Sequence, residues 1–324
     1  MKFDMGKIEN KLFEHQLNCC NKPVREKIID DYGLEGKDTN TFSLLAVAVV
    51  EALNQKAINH PERVNYTNKE VFEAAVKAIG SNFRKWVIFL NLEDKTRIIL
   101  CDYEPQDIKC TETLKHNLEK NLKGRTCRND ANAICKWVER LSNPTNNFYD
   151  SIKKLHSAVK NEAKSKGVEL EQHEITLCMI SLFAQGATQK WGGLKVLQKD
   201  KYFDTGNKIK LPGMGFALAS EFLRNLGWNA FKIDSHLERL FKYWEKKCSM
   251  PIPNEKDPRI TKILNVLNRD NQKAKNFIRY SLAGIDCTPQ NYSYSKADNL
   301  IWLLGSYVEK GKKESNECYL VEEC

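Results

Sequence analysis

Apolar residues along this chain recur mainly with helical spacing. Phe42 to Leu53 is apolar on most faces and predicts a buried helix. Val71 to Ile79 predicts a shorter amphipathic helix, opened by Thr67 and Asn68 and closed by Gly80. A charged helix is predicted from Tyr149 to about Lys166, and an apolar one from Glu174 to Gln185. Phe216, Ala219, Leu223 and Leu226 fall on one helical stripe, with Gly227 placed to end it. Leu237, Leu240, Phe241 and Trp244 form another stripe, and Ala274 to Leu282 and Lys296 to Gly305 extend the helical pattern. Trp86 to Leu100 fits either a hairpin turning at Glu93-Asp94-Lys95 or a continuous helix. The fold class expected is mainly α, as two helical subdomains with a central cleft.

Two proline- and asparagine-containing breaks divide the pattern, Asn143-Pro144-Thr145-Asn146-Asn147 and Pro251-Ile252-Pro253-Asn254. The first sets the expected organisation: an N-terminal helical region over 1–145, a core over 146–312 and a mobile tail over 313–324. Neither an internal repeat nor a low-complexity tract interrupts it.

Composition narrows the functional classes. The formal net charge of +9 suits a polyanionic partner, because lysine and arginine replace the counterions condensed on a phosphate backbone. The eleven cysteines contain no C-x2-C pair and no closely spaced set of four, so neither a zinc finger nor an iron–sulfur cluster is expected. Without a signal-sequence pattern at the start, the expectation is free thiols in a reducing cytoplasm, or at the nucleoid. The apolar runs Leu44 to Val50 and Leu300 to Leu304 are too short to cross a bilayer, so no membrane partner is expected.

The most informative stretch is 208–244. Leu211-Pro212-Gly213-Met214-Gly215 precedes a helix, and its two glycines let a tight turn bring backbone N–H groups up to a phosphate without Cβ interference. The positive end of the following helix adds to that attraction. Contacts of this kind grip the backbone without reading sequence. Downstream, Asp234 opens a second helix, where Ser235 and Glu238 make a capping-box pattern. An aspartate at this place has two readings, a helix cap or a carboxylate that stabilises positive charge on a sugar and orients an attacking water.

The stretch resembles the helix-hairpin-helix superfamily of DNA glycosylases, whose signature joins L-P-G-x-G, a helix, a glycine-containing turn and an aspartate opening a second helix. The resemblance implies a helix-hairpin-helix motif with Asp234 as the catalytic carboxylate. It implies DNA contacts from Lys210, Leu211, Pro212, Gly213, Met214, Gly215, Ala217 and His236. It also implies a potassium or sodium ion held by the backbone carbonyls of Ile209, Leu211 and Met214, with no cofactor required for catalysis. Family members that also cleave the strand carry lysine where Ala217 stands, and such an amine would attack the sugar. The implied activity is therefore monofunctional. A monomer would flip a damaged or modified base out of double-stranded DNA, hydrolyse its N-glycosidic bond and leave an abasic site. The setting would be repair, or defence against phage DNA with hypermodified bases. The rival expectations are a non-catalytic helix-hairpin-helix DNA-binding protein and a lyase that uses a displaced lysine, with Lys208, Lys210 and Lys232 nearest in sequence.

Further candidates follow from base flipping. Gln185 or Gln55 would fill the gap left by the flipped base. Trp191, Tyr202, Phe203, Trp228 and Trp302 supply aromatic faces for stacking, with burial in the core as the competing reading. Trp191 leads that set because Gly192-Gly193 beside it points to close approach of another group.

Overall fold

Several helices begin where a side chain satisfies an orphan amide of the first turn. The computed structural model describes residues 1–18, 57–80, 97–122, 126–308 and 317–322 and is mainly helical. Helix α1 spans Met5–Asn18 and α2 spans Asn68–Gly80. Thr67 and Glu70 cap α2 reciprocally: Thr67 N–H donates to Glu70 Oε2 at 2.7 Å, and Glu70 N–H donates to Thr67 Oγ1 at 3.3 Å. Helices α3 (Glu112–Leu122) and α4 (Cys127–Leu141) follow. Helix α5, Phe148–Ser165, begins after Asn147, whose side chain accepts the Tyr149 N–H. Helix α6, Gln172–Gln185, opens with a capping box between Glu171 and Glu174.

Two single-turn helices, α7 (Leu194–Leu197) and α8 (Gly206–Ile209), lead to α9 (Phe216–Asn225) and α10 (Ser235–Cys248). Helix α11, Pro258–Leu267, starts with proline after the capping residue Asp257. Helix α12 runs Gln272–Cys287, and α13 runs Tyr294–Leu303 into a π turn at Leu304–Val308. The predicted helices over 71–79, 149–166 and 174–185 fall within α2, α5 and α6 to within a residue or two. Those expected over 42–53 and the ambiguous segment through residue 96 lie outside the described residues.

The chain divides into two compact units that interleave in sequence. One comprises Met1–Ala57, Phe231–Asn254 and Phe277–Cys324; the other comprises Ile58–Ala230 and Glu255–Asn276. This differs from the expected boundary at residue 145, which lies inside the second unit. The asparagine-rich break is held there by Asn68, whose Nδ2 donates to the Asn146 carbonyl at 2.8 Å and whose Oδ1 accepts the Phe148 N–H.

The core of the second unit is aromatic. The Trp137 ring lies 5.4 Å from those of Phe148 and Phe222, and the Phe183 ring 5.9 Å from that of Phe203. All five side chains are buried, and truncating such a ring to alanine typically costs about 3–5 kcal/mol.

In the first unit, Phe3 packs against Phe231, Phe241 and Trp244. The strand β1 (Lys2–Phe3) pairs antiparallel with β2 (Leu320–Val321). The expectation of a mobile tail over 313–324 therefore fails for its described part. Tyr319 is fully buried 6.0 Å from Trp244, and Cys318 is joined to Cys248 by a disulfide with a Cα–Cα separation of 6.0 Å. That pair also corrects the expectation of free thiols throughout; Cys101, Cys110, Cys127, Cys135, Cys178 and Cys287 do carry free thiols.

Candidate nucleic-acid turn and carboxylate site

Of the two glycines in the turn, the backbone requires one. Gly213 adopts a left-handed backbone with φ +72°, and a Cβ there would strike Ala133 of α4. Gly215, by contrast, precedes α9 at φ −95° with open space where a Cβ would stand. Both glycines are exposed, while Leu211 and Met214 point inward and are buried. The Met214 N–H closes the turn on the Leu211 carbonyl at 3.3 Å, and Leu211 N–H anchors it to the Phe183 carbonyl of α6 at 2.9 Å. Trp137 Nε1–H donates to the Pro212 carbonyl at 3.2 Å. Gly215, the residue before α9, has no side chain with which to cap it.

Arg140 of α4, absent from the sequence expectations, holds the chain that enters this turn. It donates through Nη2 to the Tyr202 carbonyl at 2.9 Å and to the Lys208 carbonyl, and through Nη1 to the Lys210 carbonyl at 3.4 Å. Its guanidinium lies over the rings of Phe148 and Phe203. Burial lowers its pKa to about 10, which leaves it charged at neutral pH. No local spacing points to Arg140, since its partners lie more than 60 residues away.

Beyond the turn, α9 stops as predicted at Gly227 (φ +79°). The Trp228 N–H reaches the Leu223 carbonyl and the Gly227 N–H that of Arg224, the paired bonds of a Schellman stop. Ala217, in the first turn of α9, is half-buried. Lys208 and Lys210 are exposed; Lys208 pairs with Asp204 at 2.9 Å.

Asp234, in the other unit, caps α10. Its Oδ1 accepts the N–H groups of His236 (2.8 Å) and Leu237 (3.1 Å), and its Oδ2 accepts the indole N–H of Trp302 at 2.7 Å. The expected Ser235–Glu238 capping box does not form. With Asp234 as the cap, Ser235 is already the first helical residue, and Glu238 turns to Lys242 at 2.6 Å. Asp234 is half-buried. A carboxylate has about four lone-pair sites; three here carry hydrogen bonds, leaving one on Oδ2. His236 is half-buried, its ring edge-on to Trp302 with centroids 6.0 Å apart. Lys232, also half-buried, donates its backbone N–H to the buried Asp298.

The other candidates separate by burial. Trp191, Tyr202, Phe203 and Trp228 are core residues, so Trp191 offers no open face for stacking. The glycine beside it is explained from within: a Cβ at Gly192 would strike the Glu162 carboxylate. Of the five aromatic residues singled out, Trp302 alone stays half-exposed, and it is the one bonded to Asp234. Gln185 is tied down, its Oε1 accepting from Arg269 at 2.5 Å and Asn271 at 3.2 Å. Gln55 lies outside the described residues.

Among the described residues, no group of three or more histidine, cysteine, aspartate or glutamate side chains is placed to hold a metal ion. No helix among them is long and apolar enough to cross a membrane. No family model, curated protein or solved structure matches this chain.

Proposed function

We propose that this chain is a monofunctional DNA glycosylase that flips a damaged or modified base from duplex DNA and hydrolyses its N-glycosidic bond. The observation that carries the reading is the state of Asp234: oriented through both oxygens, partly exposed, and left with one lone-pair site on Oδ2. A side chain serving only as a cap needs a single oxygen. The exposed, uncapped glycine turn supports DNA as the partner, since its backbone and helix end suit a phosphate.

In the proposed reaction the carbon–nitrogen bond to the base lengthens, and positive charge builds on the deoxyribose. The ionised Asp234 stabilises that charge and orients a water through Oδ2. The water oxygen bonds to the sugar carbon, the bond's electron pair leaves with the base, and the water proton passes by way of the carboxylate to solvent or the departing base. Alanine at 217 cannot form an imine with the sugar, which favours water as the nucleophile.

By the helix-hairpin-helix resemblance, the carbonyls of Ile209, Leu211 and Met214 would hold a potassium or sodium ion; the Leu211 carbonyl, which accepts one bond from Met214, keeps a second lone pair for it. That ion would add positive charge beside the phosphate.

The test is to incubate the protein with several genomic DNAs, including hypermodified phage DNA, and to identify released bases by mass spectrometry. Release by the parent chain and none by Asp234→Asn supports the proposal, and the DNA that yields a base separates repair from phage defence. Binding with no release from any DNA supports the non-catalytic alternative. Borohydride trapping of a covalent adduct would replace water with a displaced lysine.

A further inference from the structure

The outer face of α4 and the neighbouring α3 enclose a depression of about 380 Å³ that ends at Gly213 of the turn. Its polar lining comes from Lys115, Asn129, Asn132, Lys136 and Glu139. Residues 129, 132, 136 and 139 lie three or four apart, so they share one helical face, and all four are exposed. The opposite face of α4 buries Ile134, Trp137, Val138 and Leu141. This division fixes which side chains look outward.

The place of this face is set by Gly213. Because the turn has no Cβ there, α4 approaches until Ala133 occupies that space, and the depression and the exposed turn share a border. Lysines outnumber acids in the lining, two to one. Lys136 makes no ion pair with any described residue, and neither Asn129 nor Asn132 uses its side-chain amide on one. Lys115 is held by Glu112 at 2.7 Å, an exposed i,i+3 pair of the kind that exchanges partners at little cost. Asn129 to Lys136 spans two helical turns, roughly 10 Å, or about three nucleotides of a strand at ~3.4 Å each.

We propose that this face is a second backbone-binding surface, taking the phosphates of the strand that the glycine turn grips. Lys136 and Lys115 neutralise phosphate charge, and Asn129 and Asn132 donate hydrogen bonds to phosphate oxygens. The N-terminal region, which the helix-hairpin-helix resemblance does not cover, thereby acquires a role in DNA binding. The inference rests on the DNA-binding part of the function proposed above and not on base release.

Fluorescence anisotropy with a duplex oligonucleotide, measured across a salt series, tests it on the full chain. Lys136→Gln should weaken binding several-fold. The plot of log affinity against log salt should flatten by about 0.9 for each phosphate no longer neutralised, so by about 1.8 in the Lys115→Gln/Lys136→Gln double variant. Glu139→Gln, which removes the one acid, should tighten binding. All of these positions are on the surface, and unchanged melting temperatures will confirm intact folding. If the parent binds duplex and the double variant keeps the parental slope and affinity, this surface is refuted while the proposed function stands. A parent that fails to bind duplex overturns both. Binding with the predicted slope changes but no base release sustains this surface and removes the glycosylase reading.

Discussion

Trp302 donates its indole N–H to Oδ2 of Asp234 at 2.7 Å, across 68 residues of sequence. The bond fixes the oxygen that helix capping leaves unengaged. Replacing Trp302 by phenylalanine keeps an aromatic ring and removes the donor. The expected result is base release slowed about tenfold, near 1.4 kcal/mol at the transition state, with duplex affinity within about twofold of the parent's. Single-turnover kinetics and anisotropy read the two separately. An unchanged release rate would deny the indole any part in orienting the carboxylate.

The same pair predicts a coupling in stability. In Asp234→Asn one face of the new amide must meet a donor with a donor, either at the cap or at Trp302. Urea unfolding should show a loss of about 1–3 kcal/mol. Combining Asp234→Asn with Trp302→Phe should recover part of that loss, because the amide oxygen can then cap α10 while its nitrogen faces no donor. Strict additivity of the two losses would contradict this account.

At the turn the two glycines should behave differently. Gly213→Ala places a Cβ on a left-handed backbone and against Ala133, so it should destabilise by more than about 1 kcal/mol. Gly215→Ala meets neither obstacle and should melt with the parent. Its methyl group projects where a phosphate would approach α9, so it should weaken duplex binding several-fold. A thermally normal Gly213→Ala, or a Gly215→Ala that binds as the parent does, would refute the respective half.

How far the sequence disclosed this arrangement depends on the range of each interaction. Gly227 as the stop of α9, Thr67 at the start of α2, and Asp234 at the head of α10 were legible because their causes lie within four residues. The capping box assigned to Ser235 and Glu238 failed by one register step, since two adjacent residues could each cap and Asp234 does. Trp302, Arg140 and Cys318 act on partners 62 to 70 residues away, and no periodicity carries that information. Trp191 misled for the same reason: the glycine beside it makes room for Glu162, an internal neighbour rather than a ligand.

The disulfide between Cys248 and Cys318 spans 70 residues of chain. Cross-links over loops of that order restrict the unfolded ensemble and typically stabilise by about 2–4 kcal/mol. Cys318→Ser should lower the melting temperature under non-reducing conditions, while dithiothreitol lowers that of the parent toward the variant's and leaves the variant unaffected. Tyr319, next in sequence to Cys318, packs on Trp244, so tryptophan fluorescence should change as the segment loosens. A parent indifferent to reductant would show that the bridge adds no stability.

His156 gives the chain a pH dependence of definite sign. Its ring is buried beside Trp228, and burial, reinforced by Lys160 and opposed by Glu62, holds its pKa below the usual 6.5. The unfolded chain therefore binds a proton at a pH where the folded chain does not. The folded state then loses stability as pH falls from 6.5 toward the lower folded value, by at most ~1.4 kcal/mol per unit, and gains nothing further above 6.5. Carboxylates such as Asp257, lowered below 3.8 by its hydrogen bond from Arg259, act in a separate and more acid window. Urea unfolding of the parent and of His156→Gln from pH 5 to 8 should give curves that run parallel above about 6.5 and converge below it. If the two curves keep a constant separation over the whole range, His156 does not titrate on unfolding, and the slope must be sought elsewhere.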